Sequence, residues 1–384
     1  MDFSFPTEQI ELANNLQKWL QKNYDLPKRR QAVLQGNDII WAALVELGVT
    51  HLLIDAEHGG LGGHSVDLFL IMQELGRGLA TSVFWSTAVG AKALSLSKNQ
   101  GLKDFLLPEI VKGNVKISLA FTELHARHDL EQITASLLAV NSSESEEVMA
   151  LSGEKNVVLF GNHADYFLIT AKLEGRIVLV LVSAQSNGLE CHSYRTIDGI
   201  EAVELKMTST LVPKTHILKT LWNDREFLER VSDFGCSLLC AEAVGLMELA
   251  KDSTLSHLKI RQQFGSPLSK FQALQHRMVD VLIALEKARS MAYLAAAHSS
   301  HESHEVRSRS TAAAKALVGE SGKYVGQQCV QLHGALGLTE ECVVSHAFKR
   351  LTLIDLTLGD VDHHLERFSK ITLPENNLRS SYAD

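Results

Sequence analysis

The sequence predicts an α+β chain laid out as helices, then strands, then helices, and three observations carry that prediction. Apolar residues recur at helical spacing through the first 115 residues. From Lys116 the pattern changes to short β-leaning runs separated by Ser, Asn and Gly clusters. After about Asp224 helical periodicity returns, in runs longer than ordinary surface helices. A length of 384 residues also exceeds what one core usually spans. We therefore expect three units: an N-terminal helical domain over 1–115, a middle antiparallel β-barrel or sandwich over 116–223, and a C-terminal helical bundle over 224–384.

The opening stretch from Glu8 to Lys22 sets Ile10, Leu12, Leu16, Trp19 and Leu20 three and four residues apart, which predicts an amphipathic helix. Similar patterns run through Ile39–Leu47 and Val66–Leu79. Between them His58-Gly59-Gly60-Leu61-Gly62-Gly63 marks a turn that needs positive φ or close backbone approach. The predicted strands include Val148–Leu151, Val157–Phe160, Tyr166–Thr170 and Ile177–Val182. Long helices are predicted at Phe227–Lys259, Leu274–Ser300 and Val306–Leu332, with His301–His304 and Ser308–Ser310 as the polar break between the last two. Each is on the order of 40 Å long, so their faces must be buried by one another and by a partner subunit.

Composition narrows the function. With 37 Lys plus Arg against 45 Asp plus Glu, the net charge of −8 disfavours a nucleic-acid partner. Five scattered cysteines form no CxxC pair, which argues against disulfides and a zinc ribbon and fits a reducing cytoplasm. No window approaches eighteen uninterrupted apolar residues. Asp2, Glu8 and Glu11 stand where a signal peptide would need a basic start, so a cytoplasmic protein is expected. The run Asp360-Val361-Asp362-His363-His364 holds four potential metal ligands, but adjacent helical side chains diverge, so no metal site is expected.

Two polar islands stand out within the apolar helical regions. Arg261-Gln262-Gln263-Phe264-Gly265, followed by Phe271-Gln272, clusters a guanidinium, amides and an aromatic ring at one corner. Arginine suits bidentate phosphate recognition, while a helix end with a favourable cation and a glycine cap explains the same residues. Gln331-Leu332-His333-Gly334-Ala335-Leu336-Gly337 reads as a helix stop or as a small-residue surface for a large ligand.

The element order, the Gly59–Gly62 turn followed by Glu74-Leu75-Gly76-Arg77, the Ala120-Phe121-Thr122-Glu123 strand end, the Arg261–Gly265 corner and the Gln331–Gly337 stretch together resemble the acyl-CoA dehydrogenase family of flavoenzymes. The resemblance runs over nearly the whole chain in order. It implies a C-terminal four-helix bundle, FAD as cofactor, an acyl-CoA substrate, an electron-transfer flavoprotein as electron acceptor, and a homo- or hetero-oligomer of homologous subunits. By that resemblance Phe121 and Thr122 lie along the flavin, and Arg261, Phe264 and Gln272 meet the diphosphate and adenine. Gln331 and Gly334 contact the FAD of a neighbouring subunit. Glu123 itself reads as a solvated strand-end carboxylate.

Departures from the family pattern gather near the flavin and the substrate. His128 takes a serine slot ahead of Asp129, and Val157 stands where a tryptophan usually packs on the flavin. Where many members carry a base in Tyr-Glu-Gly-Thr, this chain has Leu356-Thr357-Leu358-Gly359-Asp360. One register puts Asp360 on the glutamate and the other puts Gly359 there. Asp360 is the candidate base, one methylene short. The alternative base position on the first bundle helix is Gly235, and Glu242 on that helix reads as a surface or buried-pair carboxylate. Two functions follow: an acyl-CoA dehydrogenase forming a trans-2-enoyl-CoA, or a non-catalytic or half-site subunit of a heteromeric member acting on steroid-derived or dicarboxylic acyl-CoA.

Overall fold

The computed structural model describes residues 5–35, 38–63, 65–129, 132–140 and 147–373. Six helices come first: α1 (Thr7–Asn23), α2 (Leu26–Gln35), α3 (Ile39–Glu46), α4 (Ser65–Arg77), α5 (Phe84–Leu96) and α6 (Gln100–Val111). Seven strands follow: β1 (Ile117–Ala120), β2 (Ser136–Val140), β3 (Val148–Leu159), β4 (Tyr166–Leu173), β5 (Arg176–Ser183), β6 (Leu189–Arg195) and β7 (Glu201–Pro213). The rest is α7 (Asp224–Ile260), α8 (Gln272–His298), α9 (His304–His333), α10 (Val343–Leu356) and α11 (Val361–Thr372), with a small hairpin between α7 and α8. Among the described residues no helix is long and apolar enough to cross a membrane.

The chain forms two compact units, one of Met1–Arg30, Ser65–Thr81 and Cys236–Asp384, the other of Gln31–His64 and Ser82–Gly235. The second holds the sheet, ordered β1-β4-β2-β3-β7-β6 with β5 also on β4. Most pairings are antiparallel, but β1 runs parallel to β4 with Ile117 opposite Tyr166, so the sheet is mixed where an antiparallel one was expected. Its core is aliphatic, with Leu151, Val158, Phe167, Ile169, Val180 and Val203 fully buried. The runs 148–151 and 157–160 prove to be one strand, β3, with irregular register between Leu151 and Gly153 and again between Lys155 and Val158. Val157 sits at the second irregularity with φ +54°, a costly conformation for a β-branched residue.

In the first unit α9 packs on α8, α10 and α11. The polar Ser308–Ser310, expected as a break, lies inside α9, with both serines buried. Both hydroxyls are satisfied there: Ser308 accepts from Arg367 at 2.9 Å, and Ser310 pairs with His298 Nδ1 at 2.8 Å. Removing that hydrogen-bonding cost is what lets serine enter the bundle interior.

Gly76 and Gly245 mark a tight helix crossing. A Cβ on Gly76 of α4 would overlap the Glu242 carbonyl oxygen of α7, and one on Gly245 of α7 would overlap the Gln73 carbonyl oxygen of α4. Backbone touches backbone there, with no flexible side chain to yield. Gly245→Ala should destabilise the protein at the upper end of about 1–3 kcal/mol. Gly76→Ala should cost as much, and the pair should be non-additive in urea denaturation because both act on one contact.

Candidate functional site

The β1 strand end is fixed from beneath by a buried ion pair. Lys155 of β3 is wholly buried, and its Nζ donates to Glu123 Oε1 and to Thr170 Oγ1, each at 2.8 Å. Glu123 is 2% exposed and also accepts from Thr134 N, Thr134 Oγ1 and Ala135 N. The solvated carboxylate expected from the sequence is therefore the centre of a buried network. Burial alone would raise its pKa, but the Lys155 ammonium and the Thr134 donors outweigh that and hold it below the ordinary value. Burial pulls Lys155 down to about 8 against the opposing pull of Glu123. Above this pair, Phe121 O accepts from Thr170 Oγ1, Thr122 O accepts from Asn156 N, and Leu124 N donates to Asn156 Oδ1. Phe121 and Thr122 thus sit on a rigid shelf.

The second cluster lies where α7 ends. Gln262–Gln263 pairs with Ser266–Pro267, and the two-residue turn Phe264-Gly265 has φ +54° and +76°. Both angles suit a type I′ hairpin, in which phenylalanine is a strained choice. Its ring is 92% exposed and meets Phe271 edge to face at 6.2 Å. Arg261 is exposed, with no ion pair among the described residues, and its backbone is held at both ends by His257 O and Leu268 N. Gln272 opens α8 and is exposed as well. The α7 and α9 ends meet through His257, whose ring stacks on His333 at 4.5 Å. Burial, then His333 and Arg261, lower the His257 pKa. Gln331 is exposed in the last turn of α9, and Gly334 ends that helix at φ +63°. A free cation beside an exposed ring fits an anionic diphosphate bearing a planar base.

The third place is the turn between α10 and α11. Leu358 and Gly359 have φ +57° and +109°. Buried Lys315 of α9 donates to the carbonyls of Ile354, Asp355 and Gly359, all at 2.8 Å. His364 Nε2 and Cys236 Sγ both meet the Leu358 carbonyl, at 3.1 and 3.8 Å. Burial first, then Lys315, Arg367 and His363, hold the His364 pKa well below its ordinary value, so its ring is neutral and Nε2–H donates. Asp360 is the N-cap of α11, its Oδ1 accepting from His363 N at 2.9 Å. A side chain on Gly359 would begin 2.5 Å from His363 Cδ2 and 2.7 Å from His364 Nε2. The turn has no room for a carboxylate at 359, and at 360 it spends one carboxylate oxygen on the helix.

Glu242 is the buried partner of Arg350, which donates from Nε at 2.6 Å and Nη2 at 2.9 Å. At Gly235 the carbonyl accepts from the buried Trp85 indole at 3.0 Å. Sequence reasoning gave no structural role to Lys155, Lys315 or His364, whose partners the local sequence does not announce; Lys155 lies on the interior strand β3, between β2 and β7.

The order of a helical start, a central sheet and a long helical finish is the architecture against which known proteins are compared. Residues 6–114 match the acyl-CoA dehydrogenase N-terminal domain and residues 233–370 match the acyl-CoA dehydrogenase C-terminal domain. The chain belongs to the acyl-CoA dehydrogenase family of flavin-dependent oxidoreductases. It is 26% identical over 327 residues to a probable acyl-CoA dehydrogenase of Bacillus subtilis, covering 82% of this chain and 84% of that one. Its fold matches butyryl-CoA dehydrogenase from Megasphaera elsdenii with a TM-score of 0.86 at 21% identity, over 97% and 100% of the two chains. It matches the ChsE4–ChsE5 complex from Mycobacterium tuberculosis with a TM-score of 0.84 at 20% identity, over 96% and 98%.

The buried pair yields a direct test. Glu123→Ala leaves a buried ammonium unpaired and should cost about 3–5 kcal/mol in chemical denaturation. The double variant Glu123→Gln, Lys155→Met should cost less than Glu123→Ala alone.

Proposed function

We propose that this chain carries out FAD-dependent α,β-dehydrogenation of an acyl-CoA thioester to the trans-2-enoyl-CoA, passing electrons to an electron-transfer flavoprotein. The observation that carries the reading is the Arg261–Phe264 corner, where an exposed guanidinium without an ion-pair partner among the described residues stands three positions before an exposed phenylalanine on a strained backbone. When bound, FAD supplies the hydride acceptor for the substrate Cβ. Arg261 holds the diphosphate, Phe264 and Gln272 bound the adenine region, and Phe121 and Thr122 offer a fixed shelf to the flavin. Gln331 and Gly334 serve the cofactor of a neighbouring subunit in a homologous oligomer. Asp360 takes the α proton on Oδ2, since Oδ1 is committed to His363 N. Replacing Arg261 by Gln removes a charge-assisted contact and should weaken FAD retention about 10- to 100-fold by equilibrium dialysis.

A second reading has its own support. Gly359 is sealed by His363 and His364, and Asp360 is half-engaged as a cap, which suits a subunit whose partner supplies the base. Asparagine at 360 preserves the cap and removes the base, so Asp360→Asn separates the two. If Asp360 is the base, Asp360→Asn should melt like the parent yet bleach flavin with acyl-CoA at least about 100-fold more slowly. Under the half-site reading the parent bleaches only when mixed with a homologous partner chain, and Asp360→Asn bleaches equally well in that mixture.

A further inference from the structure

In the Glu74-Leu75-Gly76-Arg77 run, Gly76 admits the α7 backbone and Arg77 donates from Nε to Glu248 at 2.9 Å. Glu74 has no such task. Its side chain is 13% exposed, and its Oε2 is buried with no hydrogen-bond partner among the described residues. The other oxygen stands 3.5 Å from Arg77 Nη1, an ion pair longer than a good hydrogen bond. Burial raises the Glu74 pKa; Arg77 opposes that, Glu248 adds to it and a hydrogen bond from Gln17 opposes it again, and the value stays above the ordinary one. The carboxylate is under-supplied with positive charge and donors.

Glu74 lines a cavity of about 350 Å³ that lies wholly within the first unit. This is the low end of the roughly 300–1,000 Å³ that ligand sites occupy, and it suits a single ring or a short chain. Much of the wall is apolar: Leu20 of α1, Tyr24 beyond it, Leu26 of α2, Leu79 beyond α4, Leu249 of α7 and Val343 of α10. None of the lining residues belongs to the β1 shelf, the Arg261 corner or the turn at Gly359. The two arginines that line it are engaged, Arg77 with Glu248, and Arg29 with the Leu79 carbonyl at 3.3 Å and His346 Nδ1 at 3.4 Å. Asp25 on the same wall is exposed, and Glu74 keeps its open acceptor. The last torsion of a glutamate is broad, so Glu74 can turn either oxygen to a guest without leaving its rotamer.

We propose that this cavity is a binding site for a small apolar molecule ending in a primary ammonium group, and that Glu74 is the residue that recognises it. The ammonium brings three donors on one atom, enough for Glu74 and for the amide oxygens of Gln17 and Gln21 on the same wall. Its apolar body lies against the leucines. The occupant is a second ligand, separate from the cofactor and the thioester. Because α4 and α7 both wall the cavity and cross at Gly76 and Gly245, it also braces that crossing.

The test uses the FAD-loaded full chain and three single-ring probes of similar size: 2-phenylethylamine, 2-phenylethanol and phenylacetate. By calorimetry the amine should bind at least about tenfold more tightly than the alcohol or the acid. It should also raise the melting temperature of the parent in proportion to its occupancy. Glu74→Gln keeps the size of the side chain and should erase the advantage of the amine over the alcohol, whereas Asp25→Asn should keep most of it. Leu26→Trp narrows the cavity and should weaken amine and alcohol alike. Equal binding of the three probes, no binding of the amine, or an amine advantage that survives Glu74→Gln would overturn the proposal. So would release of FAD by the amine or its competition with an acyl-CoA, since either places it in the cofactor or thioester site. Intermolecular NOEs from the amine ring to the methyl groups of Leu20, Leu79 and Leu249 locate the site without any variant, and a bound amine lacking them sits elsewhere and sinks the proposal. None of these measurements reads turnover, so the outcome is independent of the dehydrogenase reading.

Discussion

Seven residues of α7 hold the first unit together. Glu242 is locked to Arg350 of α10, Gly245 lets the α4 backbone touch α7, and Glu248 gathers Gln73 and Arg77 of α4 with Arg289 of α8. Positions 242, 245 and 248 follow one another at three-residue steps, so they cover an arc of about 120° of one helix. Charge binds on either side of a point where only glycine fits. Each carboxylate is 3% exposed, and neither would be tolerable without its arginine. Packing sets the distance between helices, and the ion pairs set which helix meets which.

The architecture was legible because it is written in local periodicity. The predicted long helices end within three residues of the observed ones, since their ends carry ordinary stop signals such as Gly334. Long-range pairing left no such trace. Lys155 and Glu123 lie thirty-two positions apart, each unremarkable in its own segment, and only the sheet brings them within 2.8 Å. Ser308 and Ser310 looked like a break because serine usually is one, until His298 and Arg367 supplied partners from other helices.

At the candidate site the sequence pointed to residues and left their geometry open. The Arg261–Gly265 motif announced a cation and a ring, but not that the ring would occupy a left-handed turn in full solvent. The family register wavered between Gly359 and Asp360. An aspartate directly before an amphipathic run is also an N-cap signal, and that local role is the one the fold displays. Both facts bear on one carboxylate, which serves the helix with one oxygen.

Lys315 grips the turn after α10 through three main-chain carbonyls, and His364 and Cys236 reach a fourth. None of these bonds involves a side chain of the turn itself. Much of its shape is therefore inherited from distant positions, while its own residues, Gly359 and the Asp360 cap excepted, are largely released from the task of building it. Such a segment is free to drift in sequence while keeping its form. A lineage could gain or shed chemistry there one residue at a time without rebuilding the bundle beneath.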